Sequence, residues 1–243
     1  MRLPFSTLIR LACTAAIAGA ATIACSAHDE LPNDRRDTTT APAAPRTAAQ
    51  PVPRPRIVVL GDSLTAGLGL AREEAYPALL QRRLNDEGLN YEVVNAGVSG
   101  DTSAGGLSRL DWALDGDVRV LVVALGGNDG LRGLAPSELK RNLAAIIERA
   151  QARGIIVVLA GMEAPPNFGR EYATRFHDVY PALARQYRVP LVPFLLNGVA
   201  GSATLNQRDG IHPTRQGAQI VADNVWTSLR PIVVHSEGKS ARD

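Results

Sequence analysis

Cysteine is nearly absent from this 243-residue chain, which has two, Cys13 and Cys25, both among its first 25 residues. The remainder therefore holds neither a disulfide nor a thiolate metal site. Aromatic residues are scarce at 5%. An excess of one charge is lacking too: 26 Lys and Arg stand against 24 Asp and Glu, a formal net charge of +2. Residues 1–55 hold six Arg and four acids, which is the whole excess, and from Arg56 onward 20 basic residues face 20 acidic ones. A neutral folded region excludes the basic footprint of a nucleic-acid binder. The apolar run near the start, Leu11 to Ala24, covers 14 residues, short of the roughly 20 that a hydrocarbon core of about 30 Å requires. What is present is ordinary: 45% hydrophobic and 21% charged residues suit a globular chain, and the length suits one domain with an extension or two small domains.

Arg2 and Arg10 give a positive start, the uncharged Leu11–Ala24 run follows, and small residues close it, so residues 1–25 read as an export signal. Its end, Thr22-Ile23-Ala24-Cys25, resembles a bacterial lipoprotein signal, in which the cysteine becomes the lipidated N-terminus. Thr22 stands where that pattern prefers Leu. Lipidation at Cys25 would make a membrane tether; cleavage nearby, for instance after Ala27, would instead give a soluble secreted or periplasmic protein. Residues 26–55 are rich in Pro, Ala and Thr, with Leu31 and Val52 as the only large aliphatic residues. Such a segment buries too little apolar surface to offset the entropy of ordering, and it reads as a disordered linker. The polar tail, 235–243, is expected to fray.

Between these flanks, residues 56–234 read as one domain in which short apolar runs alternate with amphipathic segments. Strands are expected at Ile57–Leu60, Tyr91–Asn95, Val118–Leu125, Ile155–Leu159 and Val189–Phe194. Helices are expected over Glu73–Gly88, Ala104–Leu114, Pro136–Arg153, Arg170–Tyr187 with an interruption at Pro181, and from near Pro213 to about Leu229. Strands apolar on both faces indicate a parallel sheet covered on two sides, hence a three-layer, doubly wound α/β domain. In such sheets sites form beyond the carboxyl ends of the strands, which directs attention to the loops after Leu60, Asn95, Leu125, Leu159 and Phe194.

After the first strand comes Gly61-Asp62-Ser63-Leu64, a serine at a strand-to-helix turn where backbone N–H groups favour negative charge. After the second comes a loop of small residues around Gly100, able to leave a backbone N–H free. After the third, Gly126-Gly127-Asn128-Asp129-Gly130 can project an amide side chain. Near the end, Asp209-Gly210-Ile211-His212-Pro213 sets a carboxylate three residues before an imidazole, close enough to fix its tautomer and leave the other nitrogen to take a proton. Each block read singly is also an ordinary cap or turn. Together, at one sheet edge, they supply a nucleophile, two donors and an oriented base, the set that acyl transfer requires.

These four blocks, in this order, resemble the signature blocks of the SGNH (GDSL) hydrolases, and the resemblance covers nearly all of Ile57–Leu229. GGNDGLRGL, NFGREY, YPALA and VPLVPF are closest to the branch of bacterial multifunctional thioesterase I/arylesterase/lysophospholipase. The resemblance implies a flavodoxin-like three-layer α/β/α fold with a five-stranded parallel sheet. It implies Ser63 as nucleophile, His212 as base and Asp209 as its orienter, with an oxyanion hole from the N–H groups of Ser63 and Gly100 and the amide of Asn128. It requires no metal and no organic cofactor. A lipid anchor and long linker are not general features of that branch.

The segment Leu131–Pro136 resembles a wall of the acyl site in that branch, and Leu131, Leu134, Pro165 and Phe168 are expected to contact an acyl chain. The expected partner is a small acyl ester, thioester or lysophospholipid, with no nucleic acid. Two rival readings remain: a carbohydrate O-deacetylase of the same fold, and a non-catalytic lipid-binding lipoprotein.

Overall fold

Residues 54–240 are described by a computed structural model, with side chains through Ser236. The export signal, Cys25 and almost all of the 26–55 linker lie outside the described residues.

A short run of four apolar residues becomes an interior strand of the sheet. In β1 (Arg56–Gly61), Ile57, Val58, Val59 and Leu60 are all buried, and β1 pairs on both sides with parallel neighbours, β2 (Glu92–Gly97) and β3 (Val118–Ala124). With β4 (Ile156–Ala160) and β5 (Leu191–Val192) the order is β2-β1-β3-β4-β5. All pairs are parallel, so the five-stranded α/β sheet expected from the sequence is present.

Right-handed crossovers fix which helix covers which face. The step from β1 to β2 runs one way along the sheet and the later steps run the other way. The helix of the first step, α2 (Tyr76–Asp86), therefore lies on one face. The helices of the others, α3 (Ser103–Ser108), α6 (Pro136–Ala152) and α8 (Val179–Tyr187), lie on the opposite face. Packing agrees: α2 rests on the C-terminal helix α9 (Arg215–Ser240), while α6 packs against α3 and α8. In α6, Pro136 and Glu138 sit in the first turn and Leu139, Leu143, Ile146, Ile147 and Ala150 form the buried stripe.

Several boundaries differ from expectation for identifiable reasons. The strand expected at Val189–Phe194 shrinks to two residues because Pro190 and Pro193 cannot donate to a ladder. The Arg170–Tyr187 helix is two, α7 (Arg170–His177) and α8, divided at Asp178, because the Pro181 ring would strike the carbonyl four residues back. The segment at Ala104–Leu114 is likewise α3 plus a single turn, α4 (Leu110–Ala113). Between them the Arg109 guanidinium turns inward to donate to Asp101 Oδ2 (2.6 Å) and the Gly61 carbonyl (2.8 Å). The last helix does not stop near Leu229: α9 continues through Pro231 to Ser240, because Val225, Leu229 and Val233 stay on one buried face and hold it to the core past the missing N–H. The expectation of a frayed tail is corrected to that extent. At the other end of the domain, strand β2 outlasts Asn95 to end at Gly97. A Cβ there would lie 2.2 Å from the Ala66 backbone N, so only glycine lets this strand meet the turn that carries Ser63.

Candidate active site

Ser63 is the first residue of a one-turn helix, α1 (Ser63–Ala66), separated from the interior strand β1 by Asp62 alone. Asp62 caps it, with Oδ1 accepting the Leu64 N–H at 3.0 Å. The turn is held from behind: Asn95 Nδ2 donates to the Thr65 carbonyl (2.9 Å) and the Thr65 and Tyr76 hydroxyls pair at 2.7 Å in the core. A hydroxyl so mounted has little freedom to leave the sheet edge.

From the far end of the chain, 149 residues away, His212 reaches it: Nε2 lies 2.8 Å from Ser63 Oγ. His212 Nδ1 lies 2.7 Å from Asp209 Oδ2. Asp209 Oδ1 meanwhile accepts the N–H groups of Ile211 (2.9 Å) and His212 (3.0 Å). Those two backbone donors, and then the imidazole, pull the Asp209 pKa down to about 2. An acid so low is acceptor-only at any pH near neutrality, so it accepts a hydrogen bond from Nδ1–H, holding the proton on that nitrogen and leaving Nε2 as the acceptor facing the serine hydroxyl.

Asn128 lies in the first turn of the short helix after β3, α5 (Gly127–Leu131). Its Nδ2 donates to the Asp101 carbonyl at 2.8 Å, while its other contact, to Asp62 Oδ2, is long at 3.4 Å. One amide hydrogen is thus firmly placed and the second is nearly free. Neither the Ser63 nor the Gly100 backbone N–H donates to an acceptor among the described residues. Gly100 adopts a left-handed backbone (φ 85°) and its carbonyl is taken by Arg132 at 2.8 Å. The loops bearing Gly100 and Asn128 are clamped together behind the site: buried Asp129 accepts from the Ser103 N–H (2.8 Å) and hydroxyl (2.6 Å), and Asn142 donates to that hydroxyl (3.0 Å).

A cleft of about 440 Å³ opens beside these groups. Ser63, Asn128 and His212 lie on it, with walls from Leu131, Met162, Pro165, Phe194 and Ile211. Gly100 stands on the adjoining loop rather than among the lining residues. Of the four residues expected to touch an acyl chain, Leu131 and Pro165 line the cleft; Leu134 and Phe168 do not. Phe168 instead lies over Gly133, whose missing side chain makes room for the ring, and its ring centroid is 5.3 Å from that of Tyr172. Leu134 is half-buried and its carbonyl accepts the Tyr172 hydroxyl at 2.8 Å. Phe194, Leu196 and Ile211 also line the cleft; the sequence placed Phe194 at the end of the last strand and Ile211 in the block with His212, but nothing in it marked them as cleft walls.

Asp62 also escaped the sequence reading. It is buried, and burial outweighs its hydrogen bond from Leu64 and lifts its pKa from 3.8 to about 6. A raised carboxylate pKa stabilises the fold below the ordinary value and withdraws that stability as pH climbs from near 3.8 to about 6. The shift corresponds to about 3 kcal/mol. Asp62→Asn, which keeps an acceptor for Leu64, should lack this slope. Urea unfolding from pH 4 to pH 8 is expected to show the native chain losing stability against the variant by about that amount. A difference that does not change with pH would contradict it.

Residues 59–220 match the sequence profile of the GDSL-like lipase/acylhydrolase family. The chain is 49% identical over 178 residues to esterase TesA of Pseudomonas aeruginosa, covering 73% of this chain and 89% of that protein. The crystal structure of TesA matches with a TM-score of 0.70, over 72% of this chain and 98% of that one. Thioesterase 1/protease 1/lysophospholipase L1 of Escherichia coli K12 is 39% identical over 180 residues, covering 74% of this chain and 85% of that one. The esterase EstA from Pseudoalteromonas sp., in a structure inhibited by monoethylphosphonate, is 32% identical, with a TM-score of 0.70 over 73% of this chain and 98% of that one.

Proposed function

The chain belongs to the GDSL-like lipase/acylhydrolase family of ester-bond hydrolases, and from that premise we propose a serine esterase that works through an acyl-enzyme on Ser63. The Ser63 hydroxyl passes its proton to His212 Nε2 as Oγ attacks the acyl carbonyl. Asp209, ionised throughout, stabilises the imidazolium that results. The tetrahedral oxyanion is held by the N–H groups of Ser63 and Gly100 and by the second amide hydrogen of Asn128. His212 returns the proton to the leaving alcohol or thiol, the acyl group stays on Oγ, and water then frees it by the same route. The observation that carries this reading is the unbroken hydrogen-bond chain Asp209–His212–Ser63 at the edge of an apolar cleft.

The substrates proposed are small acyl esters, thioesters or lysophospholipids. The apolar cleft walls favour an acyl chain over an acetylated sugar, and a purely binding protein has no use for an aligned serine and histidine. A fluorophosphonate is expected to label the folded chain at Ser63, as befits a relative of a phosphonate-inhibited esterase. A folded sample that resists labelling would overturn the reading in favour of a binder. Across nitrophenyl esters of increasing chain length, activity should persist beyond acetyl. A sharp preference for acetyl would point to the deacetylase.

No helix among the described residues is long and apolar enough to cross a membrane. Attachment to the cell envelope is proposed to run through export and lipidation of Cys25. Cys25→Ala should then move activity from the membrane fraction to the soluble one.

A further inference from the structure

All five strands are parallel, so the loops that follow them leave from one end, the end that carries Ser63, Asn128 and His212. Each of these loops holds one large hydrophobic side chain out in solvent: Leu68 after β1, Val98 after β2, Leu131 after β3, Phe168 after β4 and Ile211 after β5, each at least 40% exposed. Among the described residues the other exposed large hydrophobics are Trp112, Ile156 and Val234. Those sit on α4, at the opposite end of β4 and on α9. The ring is thus confined to one end of the molecule, and the cleft opens within it, since Leu131 and Ile211 also line the cleft.

The charges around the ring are unevenly committed. Glu74 pairs with Arg215 and Asp101 with Arg109, whereas Glu163 and Asp209 lie against the imidazoles of His177 and His212 and keep their negative charge while those rings are neutral. Asp62 and Asp129 are buried. Exposed Glu73 has Arg72 beside it in the chain. Arg132, Arg170 and Arg208 are exposed and pair with no carboxylate among the described residues. Arg132 donates to the Gly100 carbonyl at 2.8 Å.

We propose that this rim docks on an anionic lipid surface, with the five apolar side chains entering between the headgroups and the three arginines meeting their phosphates. Apolar groups that stand singly around an open mouth suit a yielding lipid layer, and free arginines gain about a factor of five each near an anionic one. A protein seated on the same ring would seal the cleft, whereas a lipid layer delivers acyl chains into it. The inference rests on the esterase reading for what the cleft does with those chains.

The test uses the full chain with Cys13→Ser and Cys25→Ser, so that no native thiol or lipid interferes. An environment-sensitive fluorophore is placed through Val98→Cys or, as a control, Trp112→Cys. The probe is a vesicle of phosphatidylcholine with about a third phosphatidylglycerol. Emission from position 98 should shift blue on adding vesicles and emission from position 112 should not. Arg170→Gln with Arg208→Gln should weaken vesicle affinity about thirty-fold, while hydrolysis of a monomeric nitrophenyl ester stays unchanged. No shift at position 98, an equal shift at position 112, or a shift that arises from raising protein concentration without lipid would overturn the proposal, the last by pointing to a second copy of the chain. Loss of monomeric ester hydrolysis in the unsubstituted chain would instead count against the esterase reading and leave the docking result to stand by itself.

Discussion

Ser63→Ala is expected to lower kcat for ester hydrolysis by about 10⁴-fold or more, with the fold intact. The substitution deletes one atom, the Oγ that lies 2.8 Å from His212 Nε2. With it goes the covalent route, since no other hydroxyl among the described residues hydrogen-bonds that nitrogen. What remains is attack by water on a carbonyl still polarised by the backbone N–H groups of residue 63 and Gly100 and by the Asn128 amide. KM should change little, because the cleft walls are untouched. The fold should tolerate the change well: the lost hydroxyl faces the cleft, and the turn is held by Asp62, Asn95 and Thr65 through contacts the alanine keeps. His212→Ala should cost a similar factor, and the double variant little more than either, because nucleophile and base act as a unit. Initial rates on a nitrophenyl ester beside thermal unfolding of the same samples would check this. A variant that turns over near the native rate would remove Ser63 from the chemistry.

How much of this was legible beforehand divides along physical lines. The sheet could be read because burial on both faces leaves a run such as Ile57–Leu60 without polar residues. The order of its strands could not, since register and neighbour choice depend on contacts far apart in the chain. Helix ends were misjudged where a single residue acts over a distance. Pro181 breaks a helix three residues before itself, and Arg109 breaks another by reaching back to Gly61. At Pro231 the helix outlasts the expected end near Leu229, because the buried face of Val225, Leu229 and Val233 outweighs the missing N–H.

In the site, the side chains that stand at the ends of recognisable blocks were legible, because Ser63, Asn128 and His212 each follow a turn signal. The supporting groups were not. Asp129 looks in sequence like a turn residue, yet its carboxylate is buried and spent on Ser103. Asp62 looks like a helix cap, which it is, but its second oxygen also faces Asn128. Both roles exist only once separate loops are brought together. The cleft lining divides for a similar reason: Phe168 lies over Gly133, a glycine thirty-five residues earlier in the chain but adjacent in space, and so does not line the cleft.

Asn128→Ala should reduce kcat by roughly 10²–10³-fold with KM little changed, since its amide hydrogen is wanted only when negative charge develops on the carbonyl oxygen. The geometry says which hydrogen that is. One N–H is fixed on the Asp101 carbonyl at 2.8 Å and orients the side chain, while the other, with its 3.4 Å contact to Asp62, is weakly held. The long contact leaves that hydrogen free to turn to an oxyanion at small cost. Asn128→Asp should be at least as damaging as Asn128→Ala, because it replaces a donor with an acceptor beside the buried Asp62 carboxyl. A structural role would predict the reverse order, with the near-isosteric aspartate the milder change. Single-turnover rates on a nitrophenyl ester, read beside fluorophosphonate labelling rates, give the comparison. A loss of only a few-fold in the alanine variant, with folding intact, would leave the oxyanion to the two backbone N–H groups.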